Sequence, residues 1–252
     1  SKIMSSNLEF SPKDVVLFGF GRIGRLVARE LIKQAGKGQQ LRLKGIVVRN
    51  ISNEQLIKRC DLFRNDSVHG AYKADIDLNL KEKCLTVNGQ RIYFIEGKNP
   101  SEINYNEYGI NDALLIDNSG AFTDKDSLSN HLESIGISKV LLTAPGKGIP
   151  NIVYGINSKE LDIENSKIVS AASCTTNCIA PILHVIESEY GISSGHLETV
   201  HSYTNDQNLI DNMHKKARRG RSAAINMVIT TTGAGKAVTK VIPSLEGKLT
   251  AN

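Results

Sequence analysis

The chain has 252 residues, of which 40% are hydrophobic and 23% charged, a composition that suits two globular domains and excludes general disorder. The net charge of +5, from 31 basic and 26 acidic side chains spread along the sequence, falls short of a dedicated nucleic-acid binder and suits anionic small molecules. The four cysteines form no CxxC pair and no metal-ligand spacing with the six histidines, which predicts no metal site, no disulfide framework and a reducing compartment.

Residues 1–13 are polar and include Pro12, so we expect an N-terminal extension. They lack the apolar core of a signal peptide, and no later run reaches the roughly 18 apolar residues of a membrane span. The expected protein is therefore cytoplasmic, without a membrane segment.

The first motif that indicates a chemical function is a glycine turn between a strand and a helix. Apolar and β-branched residues predict a strand over 14–18, and apolar residues at helical spacing predict a helix after the turn. Gly19 allows the turn, Gly21 lets a diphosphate approach the backbone, and Gly24 lets the helix pack closely on the strand. The helix amides would bind pyrophosphate, next to Arg22 and Ile23. The pattern predicts dinucleotide binding, and an ordinary glycine turn is the alternative.

The end of a second predicted strand, over residues 41–48, bears on the choice of cofactor. An acidic residue about 20 positions beyond the glycines normally accepts the ribose 2′-OH of NAD, whereas a nearby arginine accommodates the 2′-phosphate of NADP. Here Arg49 and Asn50 follow the strand, so the carboxylate that would repel a 2′-phosphate is missing. We predict a cofactor of either kind, NAD or NADP; the alternative is that Arg49 only faces solvent.

The following elements continue an α/β pattern. We predict a helix over 54–65, a loop over 66–70, a hairpin of strands 84–87 and 91–95, strands over 113–117 and 139–142, and a helical stretch over 124–136. Open α/β sheets bind ligands at the carboxyl ends of their strands, which makes Ser119, Gly120 and Thr143 candidate cofactor residues. The fold class is therefore α/β, with a Rossmann-type dinucleotide-binding domain over residues 14–168.

The second motif that indicates a chemical function is a cysteine at the predicted N-terminus of a helix. Cys174 follows a short strand end and precedes apolar residues at helical spacing, and Pro181 predicts a kink near Asn177. Unpaired amides and the helix dipole stabilise a thiolate at this position, so Cys174 is a candidate nucleophile. The alternative is a small buried core residue.

Alternating residues over 197–203 predict a strand that places Leu197, Thr199, His201 and Tyr203 on one face. A histidine on such a face is usually a structural residue. Because Cys174 begins a second domain directly after the nucleotide-binding one, we expect the active site to lie between the domains.

Six segments resemble the phosphorylating glyceraldehyde-3-phosphate dehydrogenase family and occur in family order. They are residues 19–25, 66–70, 170–178, 201–206, 218–224 and 231–237. The resemblance covers the chain from residue 14 to its end, and Cys-Thr-Thr-Asn-Cys with His-Ser-Tyr-Thr is its most specific part. It implies an α+β catalytic domain over 169–252 that looks C-terminally incomplete, and a homotetramer for the full-length protein.

The resemblance also implies roles for individual residues. Cys174 would attack the aldehyde and His201 would act as its base, giving a thiohemiacetal and then a thioester as hydride passes to NAD(P). The site for attacking inorganic phosphate would contain Ser173, Thr175, Thr232 and Gly233. Thr204 would belong to the site for the substrate's own phosphate. The implied reaction is phosphate-dependent oxidation of glyceraldehyde 3-phosphate to 1,3-bisphosphoglycerate, in glycolysis or gluconeogenesis.

Two departures and several alternatives accompany this resemblance. Asn50 replaces the acidic residue of NAD-specific members, and the chain ends at Asn252, before the expected substrate-binding arginine and most of the catalytic sheet. Erythrose 4-phosphate is an alternative substrate for the same groups. A cysteine hydrolase or acyltransferase would need only Cys174 and His201. A truncated, non-catalytic nucleotide-binding fragment is the remaining hypothesis.

Overall fold

The computed structural model describes residues 12–159, 161–163 and 165–252. These residues form two compact units. The first contains the described residues up to Ile152 together with Leu161–Ser173, and the second contains those between 153 and 159 together with Cys174–Asn252. The extension expected over residues 1–13 lies, apart from its last two residues, outside the described residues. The predicted domain boundary near residue 169 remains a prediction.

The first unit alternates strands and helices, as a Rossmann-type fold does. Its strands are β1 (Lys13–Phe18), β2 (Leu41–Val48), β3 (Asn65–Asp66), β4 (Gly70–Ala71), β5 (Ile76–Asn79), β6 (Cys84–Val87), β7 (Gln90–Glu96), β8 (Ala113–Asp117), β9 (Ile137–Leu142) and β10 (Ile168–Ser170). Its helices are α1 (Arg22–Ala35), α2 (Asn53–Arg64) and α3 (Lys125–Ser129), with 3-10 turns at Pro100–Glu102, Tyr105–Tyr108 and Asn130–Glu133.

Eight of these strands form one mixed sheet in the order β10-β9-β8-β1-β2-β7-β6-β5. The strands from β10 to β7 run parallel, and β6 and β5 continue the sheet antiparallel. The chain proceeds outward from β1 through β2 on one side and through β8 on the other. The strand order therefore reverses between β1 and β8, and ligands of open α/β sheets bind at such a switch point, outside the carboxyl ends of the strands.

The sheet is buried on both faces. Val15 and Leu17 of β1 pack in one apolar cluster with Ala28 of α1, whereas Val16 and Phe18 face a second cluster on the other side. Successive residues of a strand point to opposite faces, so a strand covered on both sides must be apolar throughout. This explains the unbroken apolar run that predicted β1.

The prediction for the hairpin is confirmed, whereas that for the helical stretch over 124–136 is only partly right. Asn88 and Gly89 connect β6 to β7 with φ angles of 49° and 80°, the left-handed pair that a two-residue hairpin turn requires. The helix α3 ends at Ser129 and a short 3-10 turn follows. Ser134 then extends the backbone and Gly136 adopts φ +105°, which a continuing helix cannot accommodate.

The second unit has less regular structure. Its helices are α4 (Cys174–Tyr190) and α5 (Ala234–Thr239), its strands are β11 (Gly195–Leu197) and β12 (Leu249–Ala251), and 3-10 turns lie at Ala217–Gly220 and Pro243–Leu245. The two strands pair in parallel. Within the described part of the chain, no helix has the length and apolar character needed to cross a membrane.

The predicted strand over 197–203 is wrong beyond its first residue. β11 ends at Leu197, because its partner β12 supplies a ladder only for residues 195–197. One further backbone bond follows, from the Thr199 N–H to the Asn252 carbonyl. His201 and Tyr203 lie in an irregular segment.

Candidate active site

A thiol and an imidazole face each other at the start of α4 in the second unit. Cys174 is the first residue of this helix, and its Sγ lies 3.6 Å from Nε2 of His201. The other ring nitrogen, Nδ1, lies 2.6 Å from the Ser202 carbonyl oxygen. Because a carbonyl can only accept, Nδ1 carries a proton and Nε2 of the neutral ring presents its lone pair to the thiol. In this geometry Nε2 can accept the proton of the thiol.

The pair also shifts the two acidities in the directions that proton transfer requires. The hydrogen bond from His201 lowers the pKa of Cys174, outweighing partial burial, which raises it, and contacts with Thr175 lower it further. In turn, the bond with Cys174 raises the pKa of His201, and the Ser202 carbonyl contributes in the same direction. Both shifts make transfer of the thiol proton to the ring easier than it would be between isolated groups.

The thiol opens into a cavity of about 520 Å³ within the second unit. Its lining includes Cys174, Thr175, Cys178, His201 and Ala234. Of the expected phosphate residues, Thr175 lines the cavity directly.

Thr232 and Gly233 immediately precede the cavity residue Ala234 at the start of α5, and the Ala234 N–H donates to Thr232 Oγ1 over 3.2 Å. The structure does not place Ser173 or Thr204 in this lining. The Oγ1 of Thr204 instead accepts from the Asp206 N–H.

The glycine turn of the first unit has the close approaches expected from its sequence. Gly19 adopts φ +97°, and a Cβ there would lie 3.0 Å from the backbone of Ser119. A Cβ on Gly24 would lie 2.4 Å from the Gly19 carbonyl oxygen, so only glycine fits without a backbone shift. By contrast, nothing described lies within 4 Å of a Cβ on Gly21. Packing therefore explains Gly19 and Gly24, and leaves the space beside Gly21 for a ligand.

Alanine substitutions separate these two roles. We expect Gly24→Ala to destabilise the fold by ~1–3 kcal/mol, the usual effect of overpacking. Gly21→Ala should change the free energy of unfolding by less than about 0.5 kcal/mol, as for a surface residue without special contacts. It should nevertheless weaken dinucleotide binding, because its methyl group would occupy the ligand's approach. Urea denaturation and titration with NAD measure the two effects. Unchanged NAD affinity in Gly21→Ala would contradict the role of this glycine.

Arg22 and Ile23 open α1 with exposed side chains. Arg22 Nε lies 3.7 Å from Oδ2 of Asp66, and Arg25 Nη2 lies 4.0 Å from the same oxygen. The backbone N–H groups of His69 and Val68 donate to Oδ1 of Asp66 and hold the pKa of this carboxyl well below its usual range. The Asp66 carboxylate therefore lies within ion-pair distance of Arg22 at the helix N-terminus.

Ser119 and Thr143 are brought together by a residue that the sequence analysis missed. Asp117, the last residue of β8, accepts at Oδ1 from the Ser119 N–H and hydroxyl, both at 2.7 Å. Its main-chain oxygen accepts from the Thr143 N–H at 3.1 Å and from Oγ1 at 2.9 Å. Gly120 adopts φ +71° in the same loop. A carboxylate ending an otherwise apolar strand was the available signal.

The two residues predicted to select the cofactor lie just after β2. The Asn50 Oδ1 accepts from the Ser52 N–H at 2.7 Å, directly before α2, and both Arg49 and Asn50 are exposed. The turn therefore fixes the side chain of Asn50, while Arg49 extends into solvent.

A family profile described as "Glyceraldehyde 3-phosphate dehydrogenase, NAD binding domain" matches residues 13–125, and one described as "Glyceraldehyde 3-phosphate dehydrogenase, C-terminal domain" matches residues 173–252. The chain is 55% identical over 240 residues to a glyceraldehyde-3-phosphate dehydrogenase-like protein of Pseudomonas aeruginosa (strain UCBPP-PA14), covering 95% of the chain and 52% of that relative.

Two further relatives cover more of their own length. Glyceraldehyde-3-phosphate dehydrogenase 2 of Bacillus subtilis (strain 168) is 41% identical, over 93% of the chain and 66% of the relative. Glyceraldehyde-3-phosphate dehydrogenase 2 of Synechocystis sp. (strain ATCC 27184 / PCC 6803 / Kazusa) is 42% identical, over 93% of the chain and 67% of the relative. The chain thus spans about half of the Pseudomonas relative and about two thirds of the other two.

The first unit is a Rossmann-type fold with a glycine turn, and the second contains a cysteine–histidine pair. Together they define a class of two-unit proteins that combine a dinucleotide-binding fold with a site built around a thiol. Within that class, the profile matches and the relatives all point to one family. The chain belongs to the glyceraldehyde-3-phosphate dehydrogenase family.

Proposed function

We propose that the chain serves an NAD(P)-dependent, phosphate-requiring oxidation of glyceraldehyde 3-phosphate to 1,3-bisphosphoglycerate. The observation that carries the proposal is the 3.6 Å approach of Cys174 Sγ to His201 Nε2 at a helix N-terminus. Space beside Gly21, together with the first amides of α1, supports binding of a dinucleotide diphosphate by the first unit. The bound nicotinamide would supply a hydride acceptor.

The proposed reaction begins with transfer of the thiol proton from Cys174 to His201. The thiolate attacks the aldehyde carbon, and His201 returns its proton to the carbonyl oxygen to give a thiohemiacetal. His201 then removes the hydroxyl proton as a hydride leaves the carbon for the bound nicotinamide, and a thioester remains on Cys174. The backbone N–H of Cys174 at the start of α4 is a suitable donor to the oxygen as negative charge develops.

Inorganic phosphate completes the proposed cycle. An oxygen of hydrogen phosphate attacks the thioester carbon and the carbon–sulfur bond breaks. The acyl phosphate leaves, Cys174 is again a thiolate, and the proton of the hydrogen phosphate passes to solvent. Hydroxyl groups of Ser173, Thr175 and Thr232, with the Gly233 N–H, are the proposed donors to this phosphate. Thr204 is the proposed contact for the phosphate that the substrate already carries.

The reaction is tested by absorbance at 340 nm with the purified chain, glyceraldehyde 3-phosphate, NAD or NADP, and inorganic phosphate. Absorbance should rise, and omission of phosphate should slow the rise after the first turnover, because the thioester is then resolved only by water. A faster rise with erythrose 4-phosphate would favour that alternative substrate. No rise under any combination would favour the non-catalytic nucleotide-binding hypothesis.

Cofactor choice is tested by the substitution Asn50→Asp. The carboxylate can accept from the Ser52 N–H as Asn50 does, so the turn before α2 is retained. Its charge should repel a 2′-phosphate and lower kcat/KM for NADP by about tenfold or more relative to NAD, since ~1.4 kcal/mol corresponds to a factor of ten. Arg49→Gln is the matched substitution, because it removes the positive charge that would attract the 2′-phosphate. An unaltered ratio in both variants, or a wild-type preference for NAD above about a thousandfold, would contradict a role for these residues.

We further propose that the protein is a cytoplasmic homotetramer that acts in glycolysis or gluconeogenesis. Exposed apolar side chains in the second unit, among them Met213, Met227 and Ile229, support burial in an assembly. Native mass spectrometry would give the subunit number directly.

A further inference from the structure

A buried carboxylate–imidazole pair lies at the switch point of the first unit. Asp117 and His131 are both fully buried, and His131 Nε2 lies 2.9 Å from Asp117 Oδ2. Asp117 ends β8, and His131 follows α3 in the 3-10 turn Asn130–Glu133. Neither residue is among the proposed direct contacts of substrate or cofactor.

The surroundings of His131 fix its orientation. The Phe18 ring lies 4.7 Å away at 72° and the Phe122 ring 5.4 Å away at 89°, so the imidazole is held edge-to-face between two aromatic rings. Nδ1 has no hydrogen-bond partner among the described residues. A proton on Nδ1 would be a buried unpaired donor, which favours the tautomer with its proton on Nε2, donated to Asp117.

The pair holds both ends of one loop. Asp117 Oδ1 accepts twice from Ser119 at the beginning of the loop, and His131 packs against Phe122 at its end. The Asn118 N–H donates to the Phe18 carbonyl, and the backbone of Ser119 lies against Gly19. Any shift of Asp117 would therefore displace the loop that supports the glycine turn.

Stability alone gives no reason for these two polar groups. Replacing both partners of a buried hydrogen bond by apolar groups of the same shape can be nearly neutral or even stabilising. Such a pair need not stabilise the fold, whereas Asp117 bonds to two candidate cofactor residues, through Oδ1 to Ser119 and through its main-chain oxygen to Thr143. We therefore attribute the pair to positioning.

We propose that Asp117 and His131 are positioning residues that preorganise the loop of residues 118–122 and Thr143 for dinucleotide binding. This inference rests on the proposed function in naming the ligand. Asp117 donates no group to the ligand; it fixes Ser119 and Thr143, and His131 fixes Asp117 in turn.

His131→Phe tests the proposal, because it retains a ring between Phe18 and Phe122 and removes only the hydrogen bond to Asp117. We expect the Kd for NAD at 25 °C to rise about tenfold, equivalent to ~1.4 kcal/mol. Backbone N–H exchange at Ser119 and Thr143 should also accelerate. In Asp117→Asn, Oδ1 can still accept from Ser119, but the Nδ2–H₂ group faces the proton that His131 carries on Nε2, so we expect the same rise in Kd and the same faster exchange.

Leu128→Ala is the matched control. Leu128 is fully buried in α3 next to the same core, so its truncation lowers stability without removing a bond to Asp117. If it weakened NAD binding as much as His131→Phe does, or if His131→Phe bound NAD and exchanged like the wild type, the positioning role would be overturned.

The experiment also covers two further outcomes, a variant that does not fold and a wild-type chain that does not bind NAD. Should His131→Phe fail to fold because Asp117 is left as an unpaired buried charge, the double substitution Asp117→Asn/His131→Phe removes that charge and gives the same expectations. If the wild-type chain bound no NAD, the proposed function would fail, and exchange at Ser119 and Thr143 would still decide the positioning role.

Discussion

Cys174→Ser is expected to abolish oxidation of the aldehyde phosphate, while Cys178→Ser retains most of it. The serine hydroxyl is a far weaker nucleophile at neutral pH than a thiolate, and no covalent intermediate would form with the substrate. Cys178 also lines the cavity, one helical turn further along α4, but among the described residues only Cys174 has an imidazole within hydrogen-bond distance. Initial rates at 340 nm compare the two variants.

Alkylation gives the same comparison without substrate. Iodoacetamide followed by peptide mass spectrometry should modify Cys174 faster than Cys178 at neutral pH, because the thiolate is the reacting species. Equal loss of turnover in both serine variants, or faster alkylation of Cys178, would show that the nucleophile has been assigned to the wrong thiol.

His201→Asn is expected to slow turnover by ~10²–10⁴, the usual contribution of a general base. Asparagine can still bond to the Ser202 carbonyl but takes up no proton from Cys174. The substitution also removes the largest cause of the lowered pKa of Cys174. A lowered pKa lets the thiolate form at lower pH. When His201 is replaced, the pKa of Cys174 rises and the thiolate forms only at higher pH.

The pH dependence of alkylation separates these effects. In the wild type, the midpoint for Cys174 should lie below that of an ordinary cysteine, and in His201→Asn it should rise towards about 8.5. His184→Asn, at an exposed position of α4, is the matched control and should leave the midpoint in place. A wild-type midpoint retained in His201→Asn would return His201 to a structural role.

Local signals explain the parts of the fold that the sequence predicts well. The apolar run of β1, the glycine turn and the Asn88-Gly89 hairpin each depend on residues adjacent in sequence, and the structure contains all three. Cys174 at the first position of α4 is of the same kind. Such features follow from backbone preferences that tertiary packing supports.

Non-local contacts explain what the sequence did not predict. Asp117 and His131 are 14 positions apart, and nothing in their spacing indicates a buried bond. The strand predicted over 197–203 failed because pairing with β12 covers only residues 195–197, although the alternating pattern continues. His201 nevertheless reaches Cys174, since its orientation depends on the Ser202 carbonyl rather than on a strand.

The central position of β1 has a consequence for synthesis on the ribosome. Val15 pairs with Leu43 on one side and with Leu114 on the other, so β1 emerges well before one of its two partner strands. At ~5–20 residues per second, several seconds separate the appearance of β2 from that of β8. During that interval one edge of β1 stays open to other strands, and a nascent chain paused there is the state most exposed to aggregation and to chaperone binding.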